Sequence, residues 1–374
     1  MKRILVLNYE FPPLGGGGGI AARVFAKGLI QNGYEVDYLT SGFKGLKTLE
    51  VIDGINVYRV PVLGRKNVAT ANMFSMFCYL ITGFWKGIQL CRQRRYDLIS
   101  TYFVVPTGPL GYVLSKLYRI KNTLSILGGD IYDPTKTSSP HRHWFLRMLV
   151  RFLLNHADRI VADSSDIKGN AIKYYNPKNT IDIIPPSYEP LLFTPVKRQK
   201  LSLDENLFYT ISIGRLVKRK GFDFLIRSIM HTRDNNVHAL IIGEGPEKDN
   251  LSVLARDLRV EKQIHFLGFV SEERKFQYLS NANVYILSSV HEGFGIVLQE
   301  AMQVGLPIIS TNTGGQTDVL GNKNSNVLLE SRDPQELADV IVRFKTAPNK
   351  LSRENMEAIQ TYAPHLLAKK YVEI

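Results

Sequence analysis

The sequence predicts an α/β protein of two domains, each a parallel sheet with helices between its strands. Three observations carry this. At 374 residues the chain is long enough for two cores, and 44% hydrophobic with 22% charged residues is ordinary for a globular chain. Its start reads as strand, Gly-rich turn, helix, strand, the unit from which parallel sheets are built. In the second half four apolar runs end in Gly-bearing loops, which puts those loops on one rim of a sheet.

Residues 3–9 alternate as a buried strand does. Met1-Lys2-Arg3 and Ile4 to Leu7 carry the charge of a signal peptide, but the apolar run is too short and is broken by Asn8 and Pro12. This start therefore predicts the first strand of a cytoplasmic protein. A loop, Pro12-Pro13 and Gly15 to Gly19, leads into a helix over Ile20 to Gln31, closed by Gly33, and a strand over Tyr34 to Thr40. The glycines do not make a dinucleotide fingerprint, because Thr40 and Ser41 stand where an acidic residue would bind a ribose. A surface loop and a ligand-facing loop both remain open.

No formal charge occurs from Asn67 to Trp85, but Asn72, Ser75, Tyr79, Thr82, Lys86, Gln89 and Gln93 recur at helical steps. That stripe predicts an amphipathic helix and not a membrane span, with the apolar face on the sheet or, alternatively, touching a membrane. Strands follow at Asp97 to Phe103 and at Leu124 to Leu127, the second ending in Gly128-Gly129-Asp130. A helix over about His141 to Arg159 spaces His143, Arg147, Arg151, Asn155 and Arg159 every fourth residue among apolar neighbours. It reads either as a core helix with a solvated stripe or as a helix lying in an anionic membrane interface. Arg159 to Ala162 is strand-like, and Asp163 to Asp166 is a helix cap.

Proline and basic residues cluster at about 185–200, the predicted linker. Beyond it, strand Phe208 to Ile213 runs into Gly214-Arg215-Leu216-Val217-Lys218-Arg219-Lys220-Gly221 and a helix from Phe222. Such a charge run is a solvated turn or, between a strand and a helix, a phosphate site. Strand Val237 to Ile242 ends at Gly243, Gln263 to Gly268 is followed by Phe269-Val270, and Pro307 to Ser310 leads to Gly314-Gly315. A helix over Asp333 to Lys345 and a helical tail over Arg353 to Ile374, kinked at Tyr362-Ala363-Pro364, complete the chain.

The stretch Ser288 to Gly305 organises the rest. A strand end leads to the turn His291-Glu292-Gly293-Phe294-Gly295 and a helix over Ile296 to Val304. Glu292 lies on the turn and Glu300 further along the helix, so the two carboxylates reach different parts of one elongated ligand. The first N–H groups of that helix, on Gly295, Ile296 and Val297, suit an anion such as phosphate, and Glu300 suits ribose hydroxyls. A buried strand and helix joined by a Gly turn is the plain alternative.

Glu292, seven residues and Glu300, with Gly293-Phe294-Gly295 between them, resembles the signature of the retaining family 4 glycosyltransferases of the GT-B fold, and the resemblance covers nearly the whole chain. It implies two Rossmann-like domains with parallel sheets facing a central cleft. The N-terminal, acceptor-binding domain would be 1–187, the nucleotide-sugar domain 188–352, and the helix 353–374 would cross back onto the first. The resemblance puts Arg215 and Lys220 on the diphosphate beside Gly214 and Gly243, Phe269 and Val270 against the base, Glu300 on the ribose and Glu292 on the sugar. Gly16 and Gly17 would pack against acceptor or donor phosphates, and Gly128 and Asp130 would lie on the acceptor or sugar side. Leu127 stands where the family usually has a histidine, Pro186-Ser187-Tyr188-Glu189 where it has Asn-Gly-Val-Asp, and Asp318 where it has Glu.

The resemblance implies a retaining hexosyl transfer from a UDP- or GDP-sugar to a glycan or lipid-linked acceptor, as in bacterial envelope polysaccharide synthesis. No cofactor and no metal is expected, since no Asp-x-Asp pair occurs and fixed cations can meet the diphosphate. A nucleotide-sugar isomerase of the same fold and a non-catalytic sugar-nucleotide or lipid-binding relative are the alternatives. The net charge is +13, of which residues 1–188 hold 24 Lys/Arg against 12 Asp/Glu, or +12. This imbalance suggests an anionic partner for the first half, a membrane surface or phosphorylated acceptor before nucleic acid, for which no recognition motif is present. Cys78 and Cys91 lie at no metal-ligand spacing and are expected as buried thiols in a reducing compartment.

Overall fold

The computed structural model describes residues 2–68, 71–321, 325–347 and 352–373. Residues 69–70 of the uncharged run, Met1, and Ile374 at the end of the expected tail lie outside the described residues. The chain forms two compact units, Met1–Glu189 with Tyr362–Ile374, and Pro190–Thr361.

The first unit opens with β1 (Arg3–Leu7), α1 (Gly17–Gln31), β2 (Glu35–Ser41), β3 (Leu49–Ile52) and β4 (Ile55–Val60). It continues with α2 (Met73–Gln93), β5 (Leu98–Tyr102), α3 (Gly108–Tyr118), β6 (Asn122–Ile126), α4 (Trp144–His156), β7 (Arg159–Ala162), α5 (Ser165–Tyr175) and β8 (Ile181–Ile183). Its eight strands lie in the order β3-β4-β2-β1-β5-β6-β7-β8. All neighbours are parallel except β3 and β4, which form a hairpin. That hairpin is absent from the sequence reading although its turn signal is plain. Asp53 and Gly54 both take positive φ, as a two-residue hairpin turn with right-handed twist demands.

Helix α1 begins at Gly17, inside the glycine run and earlier than the expected Ile20. Helix α2 follows the expected pattern in part: Met76, Leu80, Phe84, Ile88 and Leu90 pack on the core, and Asn72, Gln89 and Gln93 of the stripe are exposed. Ser75 and Tyr79, members of the polar stripe, are fully buried, whereas Phe77 and Trp85 of the apolar face are exposed. Ser75 and Tyr79 can be buried because their polar groups are satisfied, and small residues beside them allow close helix packing. Ser75 completes a capping box with Asn72 and meets Tyr9 Oη at 2.9 Å, and Tyr79 donates to the Leu39 carbonyl at 3.0 Å. Gly83 and Gly87 let Leu110 and Leu114 of α3 come in close. Cys78 and Cys91 on this helix are free and half-buried, not buried as expected, and burial pushes the Cys91 thiol up to about 11.

Helix α4 ends at His156, so Arg159 leaves the expected arginine stripe and starts β7. There it binds Asp182 of β8 at 2.7 Å and the Tyr371 carbonyl at 2.7 Å. No helix among the described residues is long and apolar enough to cross a membrane.

The second unit contains β9 (Phe208–Ile213), α6 (Phe222–Thr232), β10 (Val237–Ile242), α7 (Lys248–Asp257), β11 (Ile264–Gly268), α8 (Glu272–Asn281) and β12 (Val284–Leu287). After these come α9 (Ile296–Gln303), β13 (Ile308–Thr311), α10 (Gln316–Leu320), β14 (Asn326–Leu329), α11 (Pro334–Thr346) and α12 (Arg353–Ala358). The strand order is β11-β10-β9-β12-β13-β14, parallel throughout. The chain runs outward from β9 to one edge and returns to start again at β12, so β9 and β12 flank the switch point where doubly wound sheets bind ligands. Both faces of the sheet are covered, which is why its strands read as unbroken apolar runs.

The tail divides later than the expected 353. Helix α12 stays with the second unit, where Asn355 donates to the Leu306 carbonyl at 2.8 Å and Met356 packs on Gly305. Helix α13 (Pro364–Val372) belongs to the first unit. It lies against α1, with the Pro364 backbone over Gly28 and Tyr371 Oη between Ser100 and Ser125 at 2.9 and 2.8 Å.

Candidate functional site

The chemistry gathers at the β9/β12 switch point. Glu292 sits just beyond β12 and is 6% exposed. Its carboxylate accepts from Lys220 at 2.5 Å, Arg219 at 3.0 Å and the Ser289 hydroxyl at 2.8 Å. Burial works against its ionised form, but the Lys220 and Arg219 charges and the bonds from Lys220 and Ser289 outweigh it and take the pKa down to about 2. The carboxylate is therefore charged and clamped at any working pH.

Its loop is fixed from several sides. Arg219 also donates to the His291 carbonyl at 2.7 Å, and Arg332 to the Ser288 and Ser289 carbonyls at 2.8 and 3.0 Å. Gly315 N–H donates to the Glu292 carbonyl at 2.8 Å. Gly314 has a φ of 90°, and a Cβ there would stand 2.2 Å from the Glu292 carbonyl oxygen, so only glycine permits this approach.

Gly295 caps α9, and Gly293 and the buried Phe294 form the turn before it. Leu298 N–H is already taken by the Gly295 carbonyl at 2.8 Å. The N–H groups of Ile296 and Val297 are among those a helix start leaves without intrahelical partners, with the positive end of the helix behind them. One turn further along the same helix Glu300 accepts from Lys275 at 2.7 Å, and Lys275 also binds Glu272 at 2.8 Å. The second oxygen of Glu300, Oε2, is buried and has no hydrogen-bond partner. Burial raises the Glu300 pKa, with Lys275 opposing.

Gly214, Gly243 and Gly268 end β9, β10 and β11 and are joined in a row, Gly214 N–H to the Ile242 carbonyl at 3.0 Å and Gly243 N–H to that of Gly268 at 2.9 Å. The stem of Lys220 lies over Gly214. Arg215 is exposed beyond β9, and Phe269, 87% exposed, stands beyond β11 with Val270 beside it. The residues expected around the diphosphate and base thus follow the ends of neighbouring strands of one unit, and Glu300, expected at the ribose, lies in helix α9 of the same unit. Lys220 is not a free cation but the partner of Glu292. Arg219, Lys275, Ser289 and Arg332 are missing from the sequence reading. Arg219 lay within the basic run, while no local signal marks Lys275 or Arg332.

The candidates of the first unit form a separate set. Gly16 caps α1, its N–H donating to Glu10 at 3.0 Å, and Gly17 opens the helix. The space where Gly18 lacks a side chain is filled by Phe103 and Leu127. The carboxylate of Asp130 is committed to the loop, accepting from Val104 N–H at 2.8 Å and Leu127 N–H at 3.1 Å. Burial pushes its pKa up to about 6 against those bonds. The Gly128 carbonyl accepts from Ile131 and Tyr132. Asp130 and Gly128 hold the segment that carries Leu127.

Known proteins match along nearly the whole chain. The family "Glycosyl transferases group 1" matches residues 193–363 and the "Glycosyl transferase 4-like domain" residues 16–187. An uncharacterized glycosyltransferase of Methanocaldococcus jannaschii is 26% identical over 90% of this chain and 87% of its own length. The N-acetyl-alpha-D-glucosaminyl L-malate synthase of Bacillus anthracis is 25% identical over 89% of this chain and 85% of its own. Among solved structures, sucrose-phosphate synthase of Thermosynechococcus elongatus superposes with a TM-score of 0.86 at 21% identity, over 99% of this chain and 97% of that one. Anabaena HepE, in complex with UDP and glucose, superposes with a TM-score of 0.78 at 20% identity, over 100% of this chain and 99% of that one. With two Rossmann-like units and both halves matched, the chain belongs to the family 4-type glycosyltransferases of the GT-B fold.

Proposed function

We propose that the protein transfers a hexose, with retention of anomeric configuration and without a metal, from a nucleoside-diphosphate sugar to a glycan or lipid-linked acceptor of envelope polysaccharide synthesis. One observation carries the donor reading: the cations, the α9 start and a buried, unpartnered Glu300 oxygen all belong to the β9/β12 switch point. Arg215 and the N–H groups of Ile296 and Val297 would meet the diphosphate, with Lys220 adding charge from its place beside Glu292. Glu300 Oε2 would take a ribose hydroxyl, and Phe269 and Val270 would border the base. Glu292, held ionised, would accept sugar hydroxyls and favour positive charge developing at the anomeric carbon. The leaving diphosphate would be met by groups fixed before reaction, which is the reason to expect no metal requirement. In the first unit, Gly16 and Gly17 and the loop of Gly128 and Asp130 would border the acceptor.

The test is a thermal-shift screen of UDP-, GDP- and ADP-sugars, followed by turnover of the donor that stabilises. Glu292→Gln is expected to cut turnover at least a hundredfold with nucleoside diphosphate affinity changed less than tenfold. Equal small effects on both would contradict the assignment. Sugar isomerisation in the absence of acceptor would point to an isomerase instead.

A further inference from the structure

Helices α2, α3 and α4 leave a large apolar surface uncovered. Helix α3 touches both α2 and α4, so the three form one continuous layer. The side away from the sheet exposes Phe77, Ile81 and Trp85 on α2, Leu117 on α3, and Phe145 and Met148 on α4. Trp85 is 66% exposed, and Phe145 and Met148 are each 63% exposed. Scattered apolar residues on a surface need no explanation, but side chains of this size along three touching helices form a patch that marks an interaction site.

The charge pattern selects the partner. None of the three helices contains Asp or Glu, while together they carry Lys86, Arg92, Lys116, Arg147 and Arg151. Arg92, Lys116, Arg147 and Arg151 are exposed. A second copy of this face would bring like charges together with no carboxylate to separate them. A bilayer with anionic headgroups meets both demands, since Trp and Phe rings insert at the headgroup boundary while arginine and lysine stems reach the phosphates. None of the three helices is of a kind that spans, so the layer would lie in the plane of the interface.

We propose that the outer faces of α2, α3 and α4 form a docking surface for an anionic lipid bilayer. The inference does not depend on the transfer reaction, because none of these residues belongs to the switch-point site. It extends the charge asymmetry of the sequence to a defined surface. Half of that surface is the part of the broad apolar face of α2 that does not pack on the core.

The experiment is flotation of the full chain with vesicles of phosphatidylcholine alone and with 30% phosphatidylglycerol. The expected result is binding to the anionic vesicles at low salt, weakened by salt, since exposed charges are screened within about 10 Å at 0.1 M. Trp85→Ser with Phe145→Ser, and separately Arg147→Glu with Arg151→Glu, are each expected to reduce binding at least tenfold. Both variants should keep the thermal midpoint and nucleoside diphosphate affinity of the parent. Absence of flotation at low salt, or flotation unaffected by both variants, would overturn the proposal. So would a concentration-dependent dimer in sedimentation velocity that the Trp85 variant abolishes without vesicle binding, which would assign the face to a second copy.

Discussion

Glu292 and Glu300 lie on one loop and helix yet are handled in opposite ways. Glu292 is overcompensated by two cations and held at a pKa of about 2, whereas Glu300 has one buried ammonium to share with Glu272 and its pKa is raised. For Glu292 the fall from 4.5 to about 2 corresponds to about 3 kcal/mol. Because its folded-state pKa is depressed, that contribution is present above the unfolded pKa and is lost as pH falls from about 4.5 toward about 2. Urea unfolding of the parent and of Glu292→Gln should therefore differ most at neutral pH and converge across that window. A difference independent of pH would mean that the clamp is not ionic.

Lys275, 8% exposed, is the other side of the argument. Removing it leaves Glu300 buried without a counter-charge, so Lys275→Met should destabilise by about 3 kcal/mol at pH 8. Acid should relieve part of this cost, since a carboxyl whose folded pKa is raised loses its penalty once protonated. Unfolding at pH 8 and pH 5 checks this, and an equal loss at both would contradict it.

Strands β9 to β13 of the second unit were legible in the sequence almost to the residue, whereas β14, α8 and α10 were not. Val237–Ile242 and Phe208–Ile213 are short apolar runs because both sheet faces are covered, and glycines punctuate their ends. The same bracketing made Glu292 and Glu300 visible as candidates. Their partners were not visible, because Lys275 and Arg332 reach the site from helices and loops far along the chain, and only tertiary packing brings them there. Helix α2 was legible only in part. Its core side combines apolar Met76, Leu80, Phe84, Ile88 and Leu90 with Ser75, Tyr79, Gly83 and Gly87, and polarity alone does not reveal the burial of Ser75 and Tyr79. Two substitutions separate the Tyr79 side from the Trp85 side. Tyr79→Phe should cost about 1 kcal/mol by removing a buried hydrogen bond, while Trp85→Ser should stay within about 0.5 kcal/mol. The reverse ranking in urea unfolding would put Trp85, and not Tyr79, on the core side.

At the scale of the molecule, each of the two sheets carries a glycine-rich helix start beyond a central strand, α1 after β1 and α9 after β12. Among the described residues, the second has Arg219 and Lys220 beside its preceding loop and a buried carboxylate oxygen without a partner, which supports the proposal of a donor site in this unit. The most direct test is calorimetric titration of UDP, GDP and ADP, in excess chelator, into the parent, Arg215→Ala and Glu300→Ala. One nucleotide is expected to bind without metal, and each variant to weaken it by about 1.5–3 kcal/mol, the range for a hydrogen bond to a charged group. Binding that needs manganese, or equal affinity in all three proteins, would contradict it.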